Sequence, residues 1–476
     1  MNPVTPRELI EVLSRPLAQM PAELELCPVA RPFDVVVKPP GSKSLTNRAL
    51  LLAALATGRS WIENCLLDAD DSMVMIAALR QLGATIERDI TSDSPTDLEI
   101  QGTGGRFRGG CTLNLNNAGT ATRFLTAVAC LADAPVLIDG SARMRQRPIG
   151  QLLEMLRALG VQVDELGSPG RVPIRVHPCR VRGGTLSVPT TLSSQYISAV
   201  MMLALNTAEG ITFQFDGPVT SPAYIEMTAS LMWSVCGPGF FYPEGNIGEG
   251  RLRIPPKPEF TMSVLRIEPD ASGATYFWGA ASVVNGAQCV VSGLRAQSLQ
   301  GDSRFVQLLA RFGATYSESD RGGDRITGSE SVKGIEADLA NMPDAAMTAA
   351  AVACFATGTT ELRGLRTLRV KETDRLAAME TELSKLGVRV EIESYTNKDG
   401  VKDELIRITP PAGGGGIDCS SAAPRVVFDT YDDHRMAMSL AIIGLRRPNV
   451  VIRDPACVAK TYPTFWNDWA RLYCGK

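Results

Sequence analysis

An α/β protein is predicted, made of about six copies of one helix–strand–helix–strand unit and folded as two compact domains of three units each. Three regularities predict it. Helices rich in Ala and other small residues open on a polar or Gly-rich step near Ser44, Gly119, Ser193, Ala271, Asp344 and Asp433, at intervals of 75, 74, 78, 73 and 89 residues. A short strand-like run follows each: Trp61–Asn64, Val136–Gly140, Phe213–Gly217, Val290–Gly293, Thr360–Gly364 and Val450–Asp454. A second helix then follows, and five of these end at a glycine: Gly83, Gly160, Gly237, Gly313 and Gly387, spaced 77, 77, 76 and 74 residues apart. Glycine just past a helix end is the usual left-handed stop, and Gly475 would supply a sixth. Self-similarity with this period is too long for common solenoid repeats.

Taken in order, the first helix is announced by Gly41-Ser-Lys-Ser-Leu-Thr-Asn-Arg48 and continued by the strong helix former 49–58, with Ser44 as N-cap and Gly58 as stop. Asp70-Asp71 and Gly301-Asp-Ser303 read as plain N-caps, and Pro148 and Pro222 as prolines just inside helix starts. The Gly-, Pro- and charge-rich stretch Glu244–Ser263 is the weakest part of the repeat and a candidate domain junction. Residues 1–28 match no unit and read as an appendage.

The chain has 476 residues, 45% of them hydrophobic and 21% charged, which fits a soluble globular protein of two or three domains. A formal net charge of -3 argues against whole-protein attraction to nucleic acid, so an anion site must be built locally. No apolar run is long enough to span a bilayer, and Glu8, Glu11, Glu23 and Glu25 argue against a targeting peptide; a cytoplasmic protein is expected. Eleven cysteines without a Cys-x-x-Cys pair read as reduced core thiols, and two histidines make a histidine-based metal centre close to excluded. No cofactor and no metal are expected.

The least structural-looking residues fall at helix starts. They include Lys43, Ser44 and Arg48; Asn117–Arg123; Arg143–Pro148; Ser193, Ser194 and Gln195; Ser221–Tyr224; Asp344; Lys371–Arg375; Asp433–Arg435; and Lys460–Pro463. A helix N-terminus carries free N–H groups and a partial positive charge that hold anions, about 0.3–1 kcal/mol each when exposed. Each element has an ordinary alternative: a cap, a satisfied core histidine at His434, or surface ion pairing over Lys371–Arg375. Together, the recurrence of cations at one structural position points to a small polyanionic substrate.

At this point Lys38–Arg48, Asn117-Ala-Gly-Thr-Ala-Thr-Arg123, Arg143-Met-Arg-Gln-Arg-Pro-Ile149, Pro343-Asp-Ala-Ala-Met347, Arg369-Val-Lys-Glu-Thr-Asp-Arg-Leu376 and Asp432-Asp-His-Arg-Met-Ala-Met438 resemble the EPSP synthase (3-phosphoshikimate 1-carboxyvinyltransferase) family, in order and over nearly the whole chain from Val35 to Pro463. The resemblance implies a two-domain inside-out α/β barrel, pseudo-threefold, each domain of three βαβαββ units. It divides the chain into 1–42 plus 268–476, the phosphoenolpyruvate and base side, and an inserted 43–267, the shikimate 3-phosphate side. The reaction implied is transfer of the enolpyruvyl group of phosphoenolpyruvate to the 5-hydroxyl of shikimate 3-phosphate, with release of phosphate by addition and elimination.

By motif position, Asp344 matches the family's base, and Glu372 with Lys43 its proton-transfer pair. Lys43, Gly119, Arg147, Arg375, Arg435 and Lys460 match the phosphoenolpyruvate set. Lys43, Ser44, Arg48, Ser193, Ser194, Gln195, Ser221, Tyr224, Asp344, Thr367 and Lys371 match the shikimate 3-phosphate set. Two positions depart from the family: Phe124 stands where Pro is common, and Thr367 where Asn is common. Gly119 is expected to leave room beside phosphoenolpyruvate, so that glyphosate competes there, with Phe124 weakening the effect. The partners implied are the two small-molecule substrates, with no nucleic acid or membrane, and a monomer is expected.

Two other readings stand beside this one. The sister enolpyruvyl transferase acting on UDP-N-acetylglucosamine has Lys-Asn in the first motif and a reactive loop Cys, whereas here the motif is Lys43-Ser44 and Cys111 reads as a strand residue. A non-catalytic binder of anionic metabolites is disfavoured by Asp344 and Glu372. Because cations from both halves of the chain are assigned to the same ligands, the domains are expected to close on them. Small-angle scattering should show compaction when both substrates are added; superimposable profiles would overturn closure.

Overall fold

The computed structural model describes residues 4–474 apart from 191–192, 238–239, 242, 245–249 and 412–415. Gly475 lies outside the described residues. The chain divides into unit 1, residues 1–40 with 269–476, and unit 2, residues 41–268.

Unit 2 holds three four-stranded sheets with one strand order. In one, Thr112–Asn114 runs parallel to Val136–Asp139, which pairs antiparallel with Ile174–Val176, and that with Val163–Glu165. In chain order this is strand, helix Gly119–Val128, strand, helix Gly150–Ala158, strand, strand. Gly184–Val188, Ile211–Phe215, Arg251–Ile254 and Pro243–Glu244 repeat it. In the third sheet Arg59–Glu63, Leu98–Gln101 and Thr85–Arg88 do the same, but the parallel first strand is Val264–Arg266, from the far end of the segment.

Unit 1 follows the same rule. Asp34–Val37 is the parallel first strand for Gln288–Ser292, and Glu336–Asp338 for Thr360–Arg363. Its third sheet pairs Val426–Phe428 with Val450–Arg453, and the antiparallel neighbour is Glu23–Leu26 from the chain start. The first strand of one repeat in each unit is thus supplied from a distant part of the chain. At the crossing points Ser42 N donates to Glu268 O and Asp270 N to Pro40 O, both at 2.8 Å.

The two helices of each repeat differ in burial. Lys43–Leu55 from Leu45 onward, Gly119–Val128, Ala271–Val283, Ala346–Ala353 and His434–Gly444 are buried at every position, and Ser194–Ala204 at all but Gln195. An Ala-rich helix with no wide polar face has to lie inside. The second helices, such as Asp70–Gln81 and Arg375–Ser384, bury one face only. Their stops are as expected: Gly83, Gly160, Gly237, Gly313 and Gly387 all have φ between +76° and +110°. At Gly83, Gly160 and Gly313 paired backbone bonds close the last turn, as from Gly83 N to Arg80 O and Ala84 N to Leu79 O, each 3.0 Å.

Several local expectations are corrected. The first helix begins at Lys43 with Ser42 as its cap residue, and Gly58 lies beyond the cap residue Ala56. Asp70 and Asp71 are the first residues of their helix rather than its cap, Pro148 precedes its helix, and Pro222 is a cap position without a side-chain bond. The stretch 244–263 is not a junction: Arg251–Ile254 within it pairs with Ile211–Phe215 inside unit 2.

Residues 4–28 are not an appendage either. Leu9, Leu13, Leu24 and Leu26 lie in the main core of unit 1, Glu23–Leu26 completes a sheet, and a Cβ on Gly444 would sit 2.7 Å from the Leu26 Cβ. The helix Pro6–Leu13, opened by a Thr5/Glu8 capping box, packs on Phe465–Cys474. Leu13→Ala and Leu26→Ala should each cost about 2–5 kcal/mol in denaturant unfolding, the usual loss for a buried leucine; an unchanged midpoint would mean that these residues are dispensable.

Candidate functional site

In unit 1 the starts of three elements meet at Arg375, which is 1% exposed. Its Nε donates to Asp433 Oδ2 at 2.7 Å, its Nη1 to Asp344 Oδ1 at 3.0 Å, and its Nη2 to Glu372 Oε2 at 2.9 Å. Asp433 is the cap of helix His434–Gly444 and accepts from Arg435 N at 3.0 Å. Asp344 sits in the short turn Pro343–Ala345 that leads into helix Ala346–Ala353. It also pairs with Arg435 Nη2 at 3.0 Å and Lys371 Nζ at 3.2 Å, while Lys460 Nζ lies 3.7 Å from Glu372 Oε1. Four cations and three carboxylates therefore form one network in which no side chain is more than 21% exposed. For Lys371, Glu372 and Arg375 that burial excludes surface ion pairing, whereas Asp374, 38% exposed, pairs with Arg369 at 3.1 Å nearer the surface.

Burial pushes the Lys371 ammonium down, against the pull of Asp344. For Arg375 the opposite wins: burial alone would lower it, but Asp433, Glu372 and Asp344 together hold it above the ordinary value. Behind the network lies Asp302, which is buried and accepts from the Ser272 hydroxyl. Burial, and then the charge of Asp344, raise its carboxyl to about 7. It is not the plain cap expected from Gly301-Asp-Ser303. Thr367 lies in the turn Arg366–Val370 just before Lys371; its Oγ1 is buried and has no hydrogen-bond partner among the described residues.

Unit 2 gathers a different set. Lys43 Nζ lies 3.2 Å from Asp71 Oδ2, so Asp71 turns to the lysine rather than capping its own helix. Arg147 Nη1 donates to the Asn117 carbonyl and side-chain oxygens, both at 3.2 Å, and Arg123 Nη1 donates to Gly119 O at 2.8 Å. The space beside Gly119 is not open: an added Cβ would lie 2.7 Å from both Arg123 Nη1 and Arg147 Nη2. Ser193 caps its helix, Ser194 is buried, and Gln195 Nε2 donates to Thr120 Oγ1 at 3.3 Å. Ser221 is buried at φ 51°, a left-handed conformation uncommon for serine. Tyr224 is half-buried, and Ser44 opens the Lys43–Leu55 helix beside Lys43.

Arg48 is held within unit 2. It is 1% exposed and spends its donors inside unit 2, on Thr228 Oγ1 at 2.7 Å, Ser44 O at 2.9 Å, Tyr224 O at 3.3 Å and Ser198 Oγ at 3.4 Å. Its guanidinium lies over the Phe124 ring, 5.2 Å from the centroid, which gives that departure from the family pattern a partner. Burial lowers it to about 10. Cys111 continues the parallel pairing beside Val136–Asp139, its carbonyl accepting from Leu137 N at 3.0 Å, and burial raises its thiol. That fits a strand residue and not an activated nucleophile.

Sequence reasoning read Asp71 and Asp302 as helix caps, and it passed over Tyr276, which accepts from Arg435 Nη1 at 3.2 Å. Nothing local distinguishes such acids from caps. Among the described residues no group of three or more His, Cys, Asp or Glu could hold a metal ion, and no helix is long and apolar enough to cross a membrane.

Known proteins resemble this chain throughout. The family model of EPSP synthase (3-phosphoshikimate 1-carboxyvinyltransferase) matches residues 30–469. A 3-phosphoshikimate 1-carboxyvinyltransferase of Laribacter hongkongensis is 41% identical over 456 residues, 94% of this chain and 99% of that one. One of Shewanella denitrificans is 38% identical over 453 residues, again 94% and 99%. In fold, the chain is similar to the solved EPSP synthase of Acinetobacter baumannii, with TM-score 0.72 at 24% identity over 93% of this chain and 96% of that one.

Asp302 sets a pH dependence of stability. Its folded value of about 7 lies above the ordinary 3.8, so the folded state binds the proton more tightly than the unfolded chain does, and stability is lost as pH rises from about 4 through about 7. The melting temperature should fall over that window, and Asp302→Asn should flatten the fall. Parallel pH profiles for the two proteins would refute the assignment.

Proposed function

With membership of the EPSP synthase family as premise, we propose that the helix-start cations of the two units hold phosphoenolpyruvate and shikimate 3-phosphate, and that Asp344, Glu372 and Lys43 move the protons. The reaction transfers the enolpyruvyl group of phosphoenolpyruvate to the 5-hydroxyl of shikimate 3-phosphate and releases phosphate, within the shikimate pathway to aromatic amino acids. In the addition step the hydroxyl gives its proton to Asp344, and the methylene carbon takes one from the Glu372 and Lys43 pair. Elimination of phosphate then returns a proton from the new methyl group and restores the double bond.

The observation that carries this reading is the Arg375 network. Asp344 and Glu372 are each tied to cations that an incoming phosphate or carboxylate would compete for. Substrate anions that draw Lys371 and Arg435 toward themselves leave the Asp344 carboxylate less neutralised and a better proton acceptor, and drawing Lys460 away does the same for Glu372. Fixed charges in a buried setting need little reorganisation as the reaction proceeds.

In this reading Arg147, Arg375, Arg435 and Lys460 serve phosphoenolpyruvate with Lys43 and Gly119. Ser44, Ser193, Ser194, Gln195, Ser221, Tyr224, Thr367 and Lys371 serve shikimate 3-phosphate with Asp344 and Lys43. Arg48 would have to surrender bonds to Thr228 and Tyr224 to join them, so its part is to fix the Ser44 turn. The Thr367 hydroxyl, with no hydrogen-bond partner among the described residues, supports a substrate contact where Asn is common.

The reading carries the finer architecture with it: two inside-out α/β barrels, each of three βαβαββ units about a pseudo-threefold axis, divided near residues 42 and 268. Three buried helices per unit and the repeated strand order support it. The chain should release phosphate only when phosphoenolpyruvate and shikimate 3-phosphate are both present. Asp344→Ala should lower kcat by about 10²–10⁴, Lys43→Met should raise KM for both substrates, and Gly119→Ala, which displaces Arg147, should raise it for phosphoenolpyruvate. Wild-type turnover by Asp344→Ala would sink the assignment of the base.

A further inference from the structure

The two units match at the C-terminal ends of their buried helices as closely as at the starts, with one exception. Ala127-Val-Ala-Cys-Leu-Ala132 in unit 2 corresponds to Ala351-Val-Ala-Cys-Phe-Ala356 in unit 1. Cys130 O accepts from Cys179 N at 2.9 Å, and Cys354 O from Ile417 N at 2.9 Å. Leu205 O accepts from Lys257 N at 2.8 Å, and Leu445 O from Val29 N at 3.0 Å. These bonds set Leu131 against Phe355, and Asn206 against Arg446.

In unit 1 the Arg446 guanidinium fills the space where the helix ends meet. Its Nη1 donates to Val283 O at 3.3 Å, at the end of helix Ala271–Val283, and its Cζ lies 4.8 Å from the centre of the Phe355 ring. The depression left beside it is about 250 Å³. In unit 2 neither group is present, and a cavity of about 800 Å³ opens at the corresponding place, lined by Leu131 and Asn206 among others. That is within the usual size of a small-molecule site, about 300–1,000 Å³. The Asn206 Oδ1 is buried and, among the described residues, has no hydrogen-bond partner. The three helix ends add partial negative charge, which favours a cation. At the mouth stand the exposed Arg106 and Arg180, with Glu259.

We propose that this cavity binds a basic amino acid. Its side-chain guanidinium or ammonium takes the place that the Arg446 side chain fills in unit 1, and its carboxylate faces Arg106 and Arg180. Arg446 is the internal template: the same fold position, already satisfied by a guanidinium. Asn206 Oδ1 accepts from the cationic head, and Glu259 offers a partner for the α-ammonium.

Calorimetric titration of the intact protein tests this with L-arginine and with citrulline, which replaces the guanidinium by a neutral urea of the same shape. Arginine should bind saturably at one site per chain, and citrulline about tenfold or more weakly, as the loss of a charge-assisted bond requires. Asn206→Arg, which supplies the guanidinium from within, should abolish arginine binding while phosphate release is unchanged. Should that variant fail to fold, Asn206→Leu, which removes the acceptor, should show the same loss of binding. No saturable heat from arginine, equal binding of citrulline, or full binding by Asn206→Leu would overturn the proposal.

Discussion

One guanidinium holds unit 1 together at its chemical end. Arg375 presents its edges to Asp433, Asp344 and Glu372, which belong to a helix cap, a short turn and the approach to its own helix. A buried ion pair is a weak source of net stability, because two charges must leave water, but the loss of one partner leaves another stranded at a cost of about 3–5 kcal/mol. That asymmetry makes the arrangement a positioning device. Each acid is placed by a charge it cannot abandon, and Lys371, Arg435 and Lys460 are gathered by the acids in turn.

The two units divide the chemistry unequally. Unit 1 carries Asp302, Asp344, Glu372 and Asp433 among its cations, whereas in unit 2 Lys43 pairs with the carboxylate of Asp71, and Arg123 and Arg147 donate to backbone carbonyl and side-chain amide oxygens. Buried carboxylates beside cations are therefore more frequent around the helix starts of unit 1 than around Lys43, Arg123 and Arg147, among the described contacts. The same βαβαββ plan serves both, because a buried helix start offers N–H groups whatever side chains surround it.

How much of this could be read from the chain depends on whether the cause was local. A left-handed turn after a helix demands glycine, so Gly83, Gly160 and Gly313 mark their stops in the sequence. Runs such as Val136–Asp139 and Val450–Arg453 are apolar because they are interior strands, and they too were legible. Asp71, Asp302 and Arg48 were not, because whether such a residue caps, pairs or braces is decided by elements far away in sequence: Thr228 and Phe124 hold Arg48. Residues 1–28 misled for the same reason, since their partners lie more than 400 positions later in the chain.

The strand exchange bears on how the chain is made. Asp34–Val37 leaves the ribosome early, but its parallel neighbour Gln288–Ser292 is synthesised about 250 residues later. At about 5–20 residues per second, that edge waits on the order of ten seconds or more without its partner. Residues 41–268, whose own first strand arrives at Val264–Arg266, can close before the C-terminal half has been translated. Nascent unit 1 must therefore keep an unpaired, valine-rich strand from sticking to its neighbours, a natural point for chaperone capture.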